Sequence, residues 1–224
     1  TGWGKAVWGK FYGQWMAGAT VFVVDYRGRF NPGAFLHAMQ EHGVTTFCAP
    51  PTVYRLLLRH HPDSCRLPRL RHCVSAGESL GADLTEAWRS ATGLEIREGY
   101  GQTETTLQIA TFPFMEIRPG AIGKPCPGWD VVLVDEDGAE VPAGTEGEIR
   151  ERLGRGRPLG LFDGYPGDAA MTARAIAGGL YHTGDLGRAD SDGYISFIGR
   201  ADDVIKSSGY RIGPFEVEDA LSSH

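Results

Sequence analysis

Apolar residues recur at spacing four in the first segment, where Trp3, Val7, Phe11 and Trp15 share one face of a predicted helix. Gly18 ends that segment, and Thr20, Val21, Phe22, Val23 and Val24 form an apolar run that predicts a buried strand. Asn31 and Pro32 then supply the cap and first position of a second helix, which Gly43 closes. Residues 44–48 predict a second strand, and Pro50-Pro51-Thr52 opens a helix carrying Val53, Leu56 and Leu57. Residues 71–75 read as a third strand, residues 81–92 as a helix ended by Gly93, and residues 94–97 as a fourth strand. Strands alternating with helices at this spacing predict an α/β fold, a mostly parallel sheet covered by helices. In such sheets ligands bind beyond the carboxyl ends of the strands.

The pattern changes after about residue 118. From Trp129 to Asp135 apolar positions alternate with others, Asp137-Gly138 is a hairpin turn, and residues 148–150 predict the returning strand. Asp192-Gly193 is a second hairpin turn, between Leu186 and the apolar run at 194–198. This half predicts an antiparallel β subdomain. The expected organisation is therefore 1–118 as the α/β part of a large domain, 119–201 as its antiparallel subdomain, and 202–224 as a hinge and the start of a small α+β lid.

Composition narrows the picture. With 224 residues and 42% hydrophobic content the chain is long and apolar enough to bury a core. A net charge of -6 argues against a nucleic-acid partner, which calls for a basic face. Cys48, Cys65, Cys73 and Cys126 form no C-x-x-C pair and fit no zinc spacing, so they read as free thiols. No apolar run reaches the ~18 residues of a membrane span. The chain starts with Thr1 rather than Met, lacks a signal-peptide pattern, and stops just after an amphipathic segment, so both ends read as cuts.

Three segments carry candidate chemistry. In Tyr100-Gly101-Gln102-Thr103-Glu104, glycines allow close backbone approach, Tyr100 offers a face for a base, Thr103 a hydroxyl, and Glu104 a hard oxygen for magnesium. Taken alone, the pentapeptide also suits a polar turn. In Tyr181-His182-Thr183-Gly184-Asp185, the aspartate at a strand end suits a pair of ribose hydroxyls, and equally a turn; His182 has no evident partner nucleophile and reads as structural. The stretch 199–214 holds Arg200, Asp202, Asp203, Gly209 and Arg211, and as a short polar glycine-bearing segment it reads as a hinge more readily than as a metal site.

Taken in order, Gly77-Glu78, Tyr100 to Glu104, Thr183-Gly184-Asp185, Gly199-Arg200 and Gly209-Tyr210-Arg211-Ile212 give the chain its family likeness. It resembles the AMP-forming acyl-CoA synthetases, of the superfamily that also holds luciferases and peptide-synthetase adenylation domains. Ala49 to Arg55, Gly77-Glu78-Ser79-Leu80 and Ser207 to Pro214 are similar to the medium-chain acyl-CoA synthetases in particular.

The resemblance implies two half-reactions, attack of a carboxylate on the α-phosphate of ATP and displacement of AMP by the thiol of coenzyme A. It implies a nucleotide site of Gly77, Glu78, Ser79, Glu98, Gly99, Tyr100, Gly101, Gln102, Thr103, Asp185 and Arg200. Tyr100 stacks on adenine, Thr103 meets the α-phosphate, Glu104 binds Mg2+, Asp185 holds the ribose hydroxyls, and Arg200 supports ribose and phosphate. Thr103, Glu104 and Arg200 are the implied catalytic set. Asp202 is the implied hinge, and Ser208, Gly209, Tyr210 and Arg211 lie toward coenzyme A. Trp3 and Thr106 are placed near the acyl pocket; the family usually has Gly where this chain has Thr106, which would narrow that pocket. Two family elements, the glycine-rich phosphate loop and the lid lysine, are not in these 224 residues, so the piece alone is expected not to adenylate. The expected partners are a small carboxylic acid, ATP and coenzyme A, and the expected compartment is the cytoplasm, with the mitochondrial matrix as alternative. An adenylation domain serving a carrier protein and a non-catalytic nucleotide-binding homologue are the competing readings.

Overall fold

The computed structural model describes residues 8–25, 27–60, 67–78, 80–154, 156–203, 205–207, 210–212 and 217. The chain divides into two units, Thr1–Gly99 and Tyr100–His224.

The first unit is built on the parallel strands β1 (Thr46–Cys48), β2 (His72–Ala76) and β3 (Ile96–Tyr100), the last of which runs to the unit boundary. Thr46 pairs with His72 and Cys48 with Val74, while Cys73 pairs with Ile96 and Ala76 with Gly99. Helices fill the crossovers. α1 (Gly13–Met16) is a single turn behind a π-helical turn at Trp8–Tyr12; α2 (Pro32–Glu41), α3 (Pro51–Arg59) and α4 (Ala82–Thr92) are full helices. Asn31 caps α2 by accepting the Ala34 N–H at 3.0 Å with Pro32 at the first position, as its sequence predicts. Gly93 closes α4 in the left-handed conformation, φ 74°, where a side chain would add strain.

The core of this unit joins Leu36 and Met39 of α2, Tyr54 and Leu57 of α3, Cys73 of β2, Trp88 of α4 and Ile96 of β3. Phe35, Phe47, Tyr54 and Trp88 form a continuous aromatic chain with centroids 5.9, 5.2 and 4.8 Å apart, the last two contacts edge-to-face. The Tyr54 hydroxyl lies 3.2 Å from the Phe47 carbonyl and 3.1 Å from that of Val74, tying α3 to two strands. Burial pushes its pKa above the usual phenol range, and the thiol of Cys73 is likewise pushed up to about 11. Cys48, Cys73 and Cys126 are free thiols; Cys65 lies outside the described residues.

Two sequence expectations for this unit are corrected. Residues 20–24 form no strand: Val23 is 74% exposed, Phe22 is 38% exposed with its ring against His42, and no ladder is made to them among the described residues. An apolar run becomes a strand only when a neighbouring strand takes up its N–H and C=O groups. The opening helix also breaks up. Gly9, Gly13 and Gly18 weaken it, and Phe11 and Trp15, rings 4.3 Å apart, stay exposed rather than facing a core. Trp3 lies outside the described residues.

The second unit is antiparallel, as expected. β4 (Ile109–Ala110) pairs with β5 (Lys124–Pro125). β6 (Val131–Val134), β7 (Glu146–Arg152), β9 (Leu180–Ala189) and β10 (Ile195–Arg200) make a sheet in the order β10-β9-β7-β6, with β8 (Ile176–Ala177) also on β9. Ile109, Ile122, Leu133, Ile149 and Ile195 form its core. Both turns read from the sequence are present. The Asp135 carboxylate accepts the N–H groups of Asp137 and Ala139 ahead of β7, and the Asp190 carboxylate those of Asp192 and Tyr194 ahead of β10. Arg118 clamps the second turn, reaching Asp190 at 2.6 Å and Asp192 at 2.7 Å, with its guanidinium 4.1 Å from the Tyr194 ring centroid. One further helix, α5 (Ala169–Ala175), goes beyond the elements the sequence pattern predicts; Asp168 caps it on the Met171 N–H at 2.8 Å. β11 (Ile205–Ser207) and β12 (Tyr210–Ile212) form a two-stranded ribbon after β10.

Candidate functional site

In the second unit the loop after Tyr100 is folded tightly on itself. The Gln102 carbonyl accepts the N–H groups of Thr105 and Thr106, the Thr105 hydroxyl accepts the Gln102 N–H at 2.9 Å, and Gln108 closes the loop with its N–H on the Tyr100 carbonyl at 2.9 Å. A Cβ at Gly101 would overlap the Thr106 carbonyl oxygen, so only glycine fits there. Thr106 itself holds φ 62°, a left-handed conformation that a β-branched residue rarely adopts.

This loop meets β9, whose alternation turns Tyr181, Thr183 and Asp185 to one buried face. Asp185 is the hub. One of its oxygens, Oδ2, accepts the Tyr100 hydroxyl at 2.5 Å and Gln102 Nε2 at 2.7 Å. The other, Oδ1, faces Arg200 Nη1 at 3.4 Å. Gln102 also donates to the Thr183 carbonyl at 2.9 Å and accepts the Tyr181 hydroxyl at 2.6 Å. A register shift between Phe197 and Gly199 brings Arg200 opposite Asp185. Gly184 holds φ 69°, a left-handed conformation in which a side chain would be strained. The Thr183 hydroxyl donates to the Ile149 carbonyl at 2.6 Å and accepts the Asp185 N–H at 3.0 Å, fixing the strand beneath.

Burial raises the pKa of the Asp185 carboxyl, and the hydrogen bond from Tyr100 and the charge of Arg200 oppose that rise. The Tyr100 and Tyr181 phenols are pushed above their ordinary range, chiefly by burial. Ionisation is therefore suppressed at both phenols, and Tyr100 serves Asp185 as a neutral donor.

A second arm centres on Glu104. Its Oε1 accepts the Tyr165 hydroxyl at 3.0 Å, and its carbonyl accepts the Phe162 N–H at 2.7 Å. Among the described residues no group of three or more His, Cys, Asp or Glu is arranged to hold a metal ion. A lone carboxylate still suits magnesium, which keeps waters and takes its other oxygens from substrate phosphates. The Thr103 side chain is exposed. Asp202 accepts Arg200 Nε at 3.2 Å and is exposed. His182 lies 3.8 Å from Glu148, a neighbour that suits a structural role.

In the first unit Gly77 and Glu78 follow β2, and Glu78 Oε2 accepts the Thr52 hydroxyl at 2.8 Å. Register places Ser75 beside Glu98 and Ala76 beside Gly99, so the Gly77-Glu78 turn and Gly99 share the carboxyl ends of β2 and β3. Burial raises Glu98 to about 7, against a hydrogen bond from the Leu80 N–H. Ser79, Ser208 and Gly209 lie outside the described residues. Tyr210 and Arg211 are in β12.

The structure thus brings Tyr100, Gln102, Asp185 and Arg200 together. Sequence reasoning missed Tyr165 and the part played by Tyr181. Tyr181 was legible as the i−4 partner of Asp185 on one strand face; Tyr165 carried no comparable signal.

A model of the AMP-binding enzyme family matches residues 5–165 of the chain. Human mitochondrial acyl-coenzyme A synthetase ACSM3 is 49% identical over 224 residues, all of this chain and 38% of that protein. 4-Hydroxybutyrate–CoA ligase 1 of Metallosphaera sedula is 44% identical over 225 residues, again all of this chain and 40% of that protein. Among solved structures, an anthranilate CoA ligase, AuaEII, in complex with anthranoyl-AMP, superposes with a TM-score of 0.89 at 33% identity, covering 99% of this chain and 42% of its own. The chain spans about two fifths of the length of these relatives.

Proposed function

The chain belongs to the AMP-binding enzyme family, and from that premise we propose that it forms part of an ATP-dependent acyl-CoA synthetase that converts a carboxylic acid to an acyl-AMP and passes the acyl group to coenzyme A. The observation that carries this reading is the hub at Asp185, where Tyr100, Gln102 and Arg200 converge on its buried carboxylate.

With Oδ2 saturated by two donors, Oδ1 is the oxygen left to receive ribose hydroxyls. Arg200, half exposed, covers Oδ1 and lies where a ribose or phosphate oxygen would replace Asp185 as its partner. Tyr100 presents its ring to adenine while its hydroxyl orients Asp185, and Gly77, Glu78, Ser79, Glu98 and Gly99 belong to the adenine and ribose side. Thr103, exposed, is free to reach the α-phosphate. Glu104 would hold Mg2+, which when bound offsets the charge of the phosphates as the acid attacks. The chain's own contribution is positioning and charge stabilisation. Asp202, exposed and bonded to Arg200, is assigned as the hinge by resemblance, and Ser208, Gly209, Tyr210 and Arg211 are assigned to coenzyme A on the same ground. Thr106, whose hydroxyl lies close to Gly160 and Trp129, is assigned to the acyl end by resemblance, as is Trp3. The mitochondrial name of ACSM3 favours the matrix over the cytoplasm first expected; among the described residues no helix is long and apolar enough to cross a membrane.

The test uses the complete protein that carries this chain, with ATP, Mg2+, coenzyme A and a panel of carboxylic acids. AMP, pyrophosphate and thioester should appear in equal amounts. Formation of ADP instead, or AMP without any thioester, would overturn the reading.

A further inference from the structure

The amino ends of β2 and β3 gather charged side chains at the edge opposite the Gly77-Glu78 turn. Arg71 and His72 lead into β2, and the N–H groups of both reach the Thr45 carbonyl, at 3.0 and 3.3 Å. Arg97 is the second residue of β3 and pairs with Val74. Arg89 stands in the last turn of α4. Gly93, left-handed and bonded by its N–H to the Arg89 carbonyl at 2.7 Å, turns the chain from that helix toward β3. Together these residues line an open cleft of about 440 Å³, with Glu95 as its one carboxylate among the described residues. Over the residues from His72 to Gly77, at ~3.3 Å each, the cleft lies roughly 16 Å from the Gly77-Glu78 turn.

The proposed ligase reaction gives this cleft no task. In a chain of net charge -6, three guanidinium groups share one concave surface with a single carboxylate. Glu86 already holds Arg89 Nε at 3.0 Å and Nη2 at 2.7 Å, so Arg71 and Arg97 are the stronger part of the cluster. The His72 imidazole has its pKa lowered, first by burial and then by the charge of Arg97. Like charges so placed repel one another, and an anion seated among them turns that repulsion into attraction. Guanidinium groups are planar forks that match phosphoryl oxygens two at a time, and a concave surface lined by one sign of charge focuses its field on such a ligand. The volume is that of a small-molecule site, more than one phosphate group fills. We propose that this cleft binds a soluble anion carrying two or more phosphoryl groups, held by Arg71, Arg89 and Arg97. Its concavity suits a discrete molecule rather than the plane of an anionic bilayer.

The experiment titrates inorganic pyrophosphate into the complete protein at constant ionic strength, by calorimetry, and compares wild type with Arg71→Glu and Arg97→Gln. AMP is titrated separately into each. Wild type should bind one equivalent of pyrophosphate more than either variant, in which that site weakens by about tenfold or more. AMP affinity should be alike in all three. Arg71 is exposed, so Arg71→Glu decides alone should Arg97→Gln fail to fold. Equal pyrophosphate binding in wild type and Arg71→Glu overturns the proposal, and so does a parallel loss of AMP affinity, which assigns the change to the fold. A second arm uses vesicles of phosphatidylcholine with and without phosphatidic acid. Wild type that sediments with the acidic vesicles but lacks the extra pyrophosphate site overturns the proposal and assigns the arginines to a membrane surface. The ligase reading is not needed here: if none of the three proteins binds AMP, that reading falls and the pyrophosphate comparison still decides.

Discussion

The Tyr100 hydroxyl and Asp185 Oδ2 lie 2.5 Å apart although the residues are separated by 85 positions in the chain. The bond joins the last residue of β3 to the middle of β9, the longest of the antiparallel strands. It also sets the chemistry of the carboxylate: a donor that is itself too buried to ionise holds one oxygen, while Arg200 faces the other.

Tyr100→Phe removes that donor and leaves the ring. Asp185 keeps Gln102 and Arg200, so the fold should survive with a loss of about 1 kcal/mol in unfolding free energy. Its carboxyl, already raised by burial, should rise further, because the Tyr100 bond is the largest influence lowering it. Nucleotide affinity should fall by about tenfold, one charge-assisted hydrogen bond, as measured by calorimetric titration with AMP.

Tyr165→Phe should act on Glu104 alone. The lost hydrogen bond at 3.0 Å leaves the Glu104 carboxylate less well oriented. The concentration of Mg2+ giving half-maximal rate should rise several-fold, with a smaller fall in rate at saturating Mg2+, and Mn2+ binding followed by electron paramagnetic resonance should weaken in parallel. Equal loss at all Mg2+ concentrations would assign Tyr165 to packing instead.

Glu151 gives the clearest pH prediction. It is buried on the core face of β7, accepts the Asp130 N–H at 2.6 Å with one oxygen, and among the described residues has no partner for the other. Burial raises its pKa from 4.5 to about 7, and the neighbouring charge of Asp130 adds to the rise. A carboxyl raised on folding binds its proton more tightly in the folded state. Stability is therefore unaffected below the unfolded pKa and falls as pH rises from there through about 7. Glu151→Gln keeps the acceptor and removes the titration. Urea unfolding at pH 8 should show the variant more stable by roughly 1–2 kcal/mol, with the difference gone at pH 4; a variant less stable at both pH values would contradict this.

Thr106→Gly separates strain from specificity. Relief of the left-handed threonine contributes about 1 kcal/mol, and the extra freedom of glycine in the unfolded chain takes back a similar amount. Tm should thus change little. The space vacated beside Trp129 should shift preference toward longer acids, read as the ratio of kcat/KM across an alkanoic series.

Local signals made the fold legible and long-range ones hid most of the site. Asn31-Pro32, Gly93, Asp137-Gly138 and Asp192-Gly193 each act within a few residues, and each appears where its chemistry places it. The run at 20–24 failed because a strand is defined by a neighbour that the run itself does not specify. The ligand-type residues were found through their order along the chain, yet no spacing rule says that Gln102 contacts Tyr181 or that Tyr165 meets Glu104.

The assignment of Asp185 as the ribose-binding carboxylate of an AMP site is the one on which the proposed function depends most. Equilibrium binding of AMP and of 2′,3′-dideoxy-AMP should be measured on the complete protein and on its Asp185→Asn variant. Wild type should bind AMP at least about tenfold more tightly than the dideoxy analogue, and the variant should bind both alike and weakly. Equal affinity of wild type for the two nucleotides, or a preference for AMP that the variant keeps, would contradict the assignment.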